Sequence, residues 1–288
     1  MRSRSSPLEP ESEDAAAALI DRARYPIDDL GSPAAAALIA ECRRQLAATG
    51  ACLLPDFLRP EVLDAMAAEA ASLASLAHRT PGSRSTAYLE APDESFPQGH
   101  PKRRMQPTSV GAVAYDLIPP EALLRRLYEW DGLLAFLAQA LGREKLYRYA
   151  DPLGALNVAV MEEGEGLLWH FDQTDFVVSL LLQRCAHGGV FEYAPLIRGP
   201  DEPNYERVWR LLDGAREEVI ALDMAPGTLV LFQGRYSIHR VTAVEGALPR
   251  LIVLLGYDTQ PGTMSSERLK LRRYGRVVPV AATLPRVD

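Results

Sequence analysis

The sequence predicts an α+β chain, mainly β, with helices first and an antiparallel barrel or sandwich after them. Three observations carry this. Apolar residues recur at helical spacing over about 33–77 and again over 120–141. From Leu146 onward, short segments rich in Val, Ile, Leu and aromatics alternate with turn residues, as in antiparallel all-β architectures. The chain has 288 residues and 48 % are hydrophobic, enough to build a sizeable core without staples.

The elements follow in order. Residues 1–14 are rich in Ser, Pro and Glu and read as a disordered tail. The Ala-rich run Pro33–Ala48 reads as a helix that Gly50 stops. Ala51-Cys52-Leu53-Leu54 reads as a short buried strand, and a second helix runs from about Asp56 to Ala77 on Leu63, Met66, Ala70 and Leu73. From Arg79 to Val110 the periodicity dissolves into a Pro/Gly-rich loop. A connection this long is usually functional, and here it reads as a lid. Helical signal returns over 120–141, interrupted near Trp130-Asp131-Gly132. Strand segments are expected near 146–149, 155–162, 166–171, 175–183, 189–193, 217–222, 228–232, 236–244 and 250–257, with an inserted helical turn at about 201–214. The end of the chain, with Arg268, Lys270, Arg272, Arg273 and Arg276, reads as basic and weakly structured. The organisation expected is one domain over 15–288: helical support over 15–145, a β core over 146–260 and an extension over 261–288.

Charge and cysteine content exclude several functions. With 31 Lys+Arg against 38 Asp+Glu, the formal net charge is −7, which excludes a general basic surface for nucleic acid. Cys42, Cys52 and Cys185 form neither a disulfide framework nor a Cys-x-x-Cys site, and suit a reducing cytosol. No apolar segment follows the basic residues of Met1–Ser6, and no apolar run approaches the ~20 residues of a membrane span. A cytoplasmic location without membrane partners is expected.

The chemistry concentrates in Trp169-His170-Phe171-Asp172-Gln173-Thr174-Asp175-Phe176. On a strand, residues two apart share a face, so His170 and Asp172 would project into one space while Phe171 packs behind them. A lone His-x-Asp is commonly no more than a hydrogen-bonded pair. His239 in the β-rich segment Ser237-Ile238-His239-Arg240-Val241 completes two histidines and one carboxylate, the facial triad that suits Fe(II) with open positions. His and Asp also suit zinc. Arg250 favours iron. Were Glu245-Gly246 the turn of a hairpin, Arg250 would lie beside Val241 on the His239 face, where its fork could grip a dicarboxylate. Arg240, by alternation, faces away.

His170-Phe171-Asp172, His239 and Arg250 resemble the His-x-Asp…His…Arg signature of the Fe(II)/2-oxoglutarate-dependent oxygenases. Gly50–Leu58 is similar to the strand-then-helix entry of phytanoyl-CoA-hydroxylase-like members. Ala225–Phe232 and Gly188–Pro195 also resemble stretches of this superfamily. Trp169–Asp172 with Phe191–Pro195 resembles, more narrowly, bacterial free-amino-acid hydroxylases and radical halogenases. The resemblance implies a double-stranded β-helix (jelly-roll, cupin-like) core with N-terminal helices packed on one sheet. It implies Fe(II) held by His170, Asp172 and His239, with 2-oxoglutarate and O2 as co-substrates and Arg250 on the far carboxylate of 2-oxoglutarate. The halogenases lack the carboxylate ligand, so Asp172 implies hydroxylation, with release of succinate and CO2. The substrate expected is a free amino acid or similar small polar metabolite. The alternatives are an oxygenase acting on another metabolite and a non-catalytic jelly-roll binding protein. Candidate substrate contacts are Arg103 and Arg104, as a carboxylate clamp from the lid, with Gln173 and Asn157. His78, His100 and His187 have no partner pattern.

Overall fold

The computed structural model describes residues 10–278. Seven helices occur among them: α1 (Pro10–Ala17), α2 (Pro33–Thr49), α3 (Pro60–Leu73), α4 (Leu123–Glu129), α5 (Asp131–Ala140), α6 (Tyr205–Leu212) and α7 (Glu267–Tyr274). Ten strands build two antiparallel sheets: β1 (Ala51–Leu54), β2 (Gly111–Val113), β3 (Leu156–Met161), β4 (Leu167–His170), β5 (Val177–Gln183), β6 (Phe191–Ala194), β7 (Ile220–Leu222), β8 (Leu229–Phe232), β9 (Ile238–Val241) and β10 (Arg250–Leu255). The large sheet has the order β1-β8-β5-β10-β3-β2, and the small one β7-β6-β9-β4. From β3 onward the chain passes back and forth between the sheets, which makes the expected double-stranded β-helix.

Local chemistry explains the helical half. Ser32 caps α2 by accepting from the Ala35 backbone NH at 3.2 Å, and Pro33 occupies the first turn, where its missing NH costs nothing. Gly50 ends α2 in the left-handed region (φ 72°), and its NH bonds back to the Leu46 carbonyl. Pro60 opens α3 in the same way, so that helix starts later than the sequence pattern suggests and ends at Leu73, with a further 3-10 turn at Ala74–Leu76. Part of the expected N-terminal tail lies outside the described residues. From Pro10 onward the chain is helical instead, and Ala16 and Ala17 are buried in the main core because their small side chains fit against the helical layer.

Strand alternation divides the large sheet into two faces. Leu156, Val158 and Val160 on β3, Val178, Leu180 and Leu182 on β5, Leu229 and Leu231 on β8, and Leu251 and Val253 on β10 pack with the helices in one core. The intervening residues Asn157, Ala159 and Met161, Val177 and Ser179, Val230 and Phe232, and Arg250 and Ile252 face a cavity of about 470 Å³. The small sheet closes that cavity from the other side.

Two further expectations change. The segment after Val241 makes no hairpin. β9 pairs with β6 and β4, whereas β10 pairs with β3 and β5, so the turn near Gly246 carries the chain from one sheet to the other. The basic C-terminal stretch is an ordered helix. Ser266 caps α7 by accepting from the Leu269 NH at 3.3 Å, and Gly275 ends it. Lys270, 2 % exposed, reaches Asp151 at 3.5 Å. Asp151 also accepts from the Leu153 and Ser265 backbone NH groups. Arg276 grips Asp116 through both terminal nitrogens at 2.7 and 2.8 Å. Among the described residues, no helix is long and apolar enough to cross a membrane.

Lys270 and Asp151 are both buried, so removing one partner leaves an uncompensated charge. Lys270→Ala is expected to destabilise the fold by about 3–5 kcal/mol, read as a lowered midpoint in urea unfolding. A midpoint within error of the parent would show that α7 is not held by this pair.

Candidate active site

The two histidines stand opposite one another as a direct cross-strand pair, His170 on β4 and His239 on β9. Their rings lie 4.2 Å apart between centroids. Each imidazole is oriented by its own strand. His170 Nδ1 lies 2.7 Å from the Leu168 carbonyl, and His239 Nδ1 lies 3.0 Å from the Ser237 carbonyl. A donated Nδ1–H leaves Nε2 unprotonated and facing inward, the form a metal requires. Burial pushes both histidines down to about 4, so they are neutral at pH 7.

Asp172 completes the group from just beyond the end of β4, which stops at His170. The shared space expected from strand alternation is therefore reached through a bend. The Asp172 NH bonds to the Gly234 carbonyl at 3.0 Å, and the Phe171 NH to the Ala87 carbonyl at 2.7 Å. These bonds fix the bend and send Phe171 into the apolar cluster behind the sheet, with Trp169. The carboxylate lies 3.5 Å from His239 Nε2 and 3.9 Å from His170 Nε2. Ligand atoms of all three residues fall within 4.8 Å of one another, a spacing at which one cation could bridge them. Burial raises the Asp172 carboxyl, opposed by His170 and by Arg273. Gly234 leaves room for the carboxylate, since a Cβ there would collide with the Asp172 side chain.

Arg250 enters the same cavity from the facing sheet. It is 2 % exposed, and burial pushes its guanidinium down to about 10. Neither Nη1 nor Nη2 has a hydrogen-bond partner among the described residues. A buried guanidinium with two free nitrogens fits a carboxylate supplied by a bound molecule. The donor set of two imidazoles and one carboxylate, open toward that cavity, fits Fe(II).

Comparison with known proteins agrees with this chemistry. Residues 34–268 match the family model described as Halogenase D. The chain belongs to the Halogenase D family, within the Fe(II)/2-oxoglutarate-dependent oxygenases. Solved structures support the fold. The non-haem α-ketoglutarate-dependent epimerase SnoN from nogalamycin biosynthesis is similar at a TM-score of 0.54 and 16 % identity, over 77 % of this chain and 81 % of that one. The carbocyclase SnoK from the same biosynthesis reaches 0.52 and 16 %, over 75 % and 82 %. SnoN in complex with Fe3+, α-ketoglutarate and nogalamycin RO reaches 0.52 and 16 %, over 80 % and 93 %. No match is found among curated proteins.

The remaining candidate residues of this Halogenase D family member divide. Asn157 and Gln173 line the cavity. Arg103 and Arg104 do not. Arg103 donates to the Phe96 carbonyl at 2.9 Å, and Arg104 pairs with Asp213 just beyond α6. The 79–110 loop does line the cavity through Thr80, Ser85, Leu89 and Gln106, while Arg103 and Arg104 are held by partners outside it. Arg240 faces away from the cavity, pairs with Glu192 at 2.6 Å and lies over Trp169. His100 stacks on Phe96 with ring centroids 4.0 Å apart. Sequence reasoning missed Arg272 and Arg273 on α7, which line the cavity. Their signal was present: a Ser cap at 266, Glu267 in the first turn and Gly275 as the stop delimit a helix that ends in arginines.

Gly234→Ala is expected to displace Asp172 and weaken Fe(II) binding by roughly 10–100-fold, the usual cost of disturbing the support of a metal ligand. Anaerobic titration with Fe(II), with circular dichroism confirming the fold, measures it. Undiminished affinity would remove Asp172 from the metal site.

Proposed function

We propose that this oxygenase hydroxylates an unactivated C–H bond of a free amino acid or similar small polar metabolite, with 2-oxoglutarate and O2 as co-substrates and succinate and CO2 as by-products. The observation that carries the reading is the carboxylate of Asp172 between His170 and His239. A halogenase needs the carboxylate's coordination position for halide, and here Asp172 would take that position.

His170, Asp172 and His239 would hold Fe(II), which together with 2-oxoglutarate and O2 supplies the oxidising power for C–H cleavage. The chain's own contribution is placement. The Leu168 and Ser237 carbonyls keep both imidazoles in one tautomer, and the Gly234 contact keeps Asp172 beside them. Arg250 would pair with the distal carboxylate of 2-oxoglutarate, since no side chain or backbone group among the described residues occupies its two terminal nitrogens. Phe191 and Phe232, which also line the cavity, pack against His239 with ring centroids 5.4 and 4.9 Å away and help to fix its ring.

The direct test incubates the protein with Fe(II), ascorbate and 2-oxoglutarate over an amino-acid panel. Expected results are substrate-dependent succinate release and a product heavier by about 16 Da, the mass of one inserted oxygen. Succinate without such a product, or a chlorinated product in the presence of chloride, would overturn hydroxylation. Asp172→Gly should abolish hydroxylation and admit chloride or azide to the metal, visible as a halide-dependent change in the Fe(II) spectrum. Intact activity in that variant would remove Asp172 from the triad.

Arg250→Met removes a buried guanidinium with two unbonded nitrogens. The ligand-free protein should keep or raise its melting temperature, while 2-oxoglutarate binding weakens by about 2–5 kcal/mol. Calorimetry and thermal unfolding with and without 2-oxoglutarate separate the two effects. Unchanged 2-oxoglutarate affinity would exclude Arg250 as its anchor.

A further inference from the structure

The cavity contains more positive charge than iron and co-substrate chemistry requires. Three arginines and two aspartates line it: Arg250, Arg272, Arg273, Asp172 and Asp258. With the site loaded as proposed, the two charges of Fe(II) and the one of Arg250 balance Asp172 and the two carboxylates of 2-oxoglutarate. That leaves Arg272 and Arg273 against Asp258 alone.

Neither α7 arginine forms an ion pair with an acid among the described residues. Arg273 donates to the Asn157 side-chain carbonyl at 3.1 Å, and its Nε is buried without a partner. Arg272 donates to Ser85 Oγ at 3.3 Å and is flanked by like charges on Arg273 and Arg268. Two adjacent guanidinium groups held together without an anion repel one another, and the helix carrying them is pinned by Lys270–Asp151 and Arg276–Asp116. The same cavity carries apolar wall residues, Tyr149, Leu168, Phe176, Met264 and Leu269, and Arg273 is near enough to the triad to act on the charges of His170 and Asp172.

We propose that Arg272 and Arg273 form the carboxylate-binding end of the primary substrate site, so that this enzyme selects small carboxylic acids with an apolar body. The inference rests on the oxygenase reading and supplies its substrate class. Adjacent guanidinium groups present several N–H donors to one carboxylate, and the apolar wall beyond them directs the substrate's carbon chain toward His170 and Asp172. Arg272 and Arg273 thereby replace the lid arginines as the clamp.

The test measures binding by calorimetry under nitrogen, with Fe(II), in the presence and absence of 2-oxoglutarate. The probes are L-norleucine and hexanoate against their amides, L-norleucinamide and hexanamide. The acids are expected to bind at least tenfold tighter than the amides. Arg273→Gln and Arg272→Gln should reduce the acids to the amides' level, Arg273→Lys should restore part of the difference, and 2-oxoglutarate affinity should not change. Equal binding of acid and amide, or no binding of either acid, overturns the proposal, and this comparison on the parent protein stands even if a variant fails to fold. A loss of 2-oxoglutarate affinity in Arg273→Gln would also overturn it, by making the pair a co-substrate anchor. Failure of the underlying reading shows separately, as absence of 2-oxoglutarate binding to the parent protein.

Discussion

Two backbone carbonyls decide where the metal-binding nitrogens of this protein point. Leu168 and Ser237 each accept from the imidazole two residues further along the chain, and each thereby turns an Nε2 into the cavity. The direct pairing of His170 with His239 then brings those nitrogens together. The sheet register is consequently a chemical constraint. A slip by one residue on either strand would exchange the histidine for Trp169 or Ile238, which belong to the apolar layer on the other face. The packing of that layer, and the bend that brings Asp172 round to the same side, both serve to hold one register.

Much of this was legible in the sequence because it depends on local periodicity. The strand rhythm after Leu146, the stop at Gly50 and the break at Trp130 all follow from side-chain alternation or cap chemistry, which neighbouring residues determine. The features that were not legible depend on residues far apart in the chain. A turn signal at Glu245-Gly246 says that the chain reverses, but not whether it returns along the same sheet or crosses to the facing one. Arg250 reaches the cavity by the second route, although the first was expected. Its place in the site remained readable because both routes leave Arg250 pointing inward.

The arginines show the same limit more sharply. Lys102-Arg103-Arg104 stands out as a dense charge cluster in a Pro-rich loop, yet Asp213, more than a hundred residues later, draws Arg104 outward. Arg272 and Arg273 sit in a stretch whose buried face includes a lysine, so apolar periodicity could not reveal the helix. Lys270 is buried only because Asp151 lies under it. Charge density in a sequence marks where cations are, and their partners decide which of them remain free to meet a ligand.

Helix α7 also bears on how the molecule is assembled. It forms one wall of the cavity, but its ties run to Asp151, Asp116 and Thr80, all of which precede most of the jelly roll. Contacts across such long stretches of chain are entropically slow to form. During synthesis, the strands that carry His170, His239 and Arg250 leave the ribosome before this helix does. The reactive chamber therefore stays open on one side until this helix has emerged. Closing it is a late event in folding, separate in time from building the metal-binding framework.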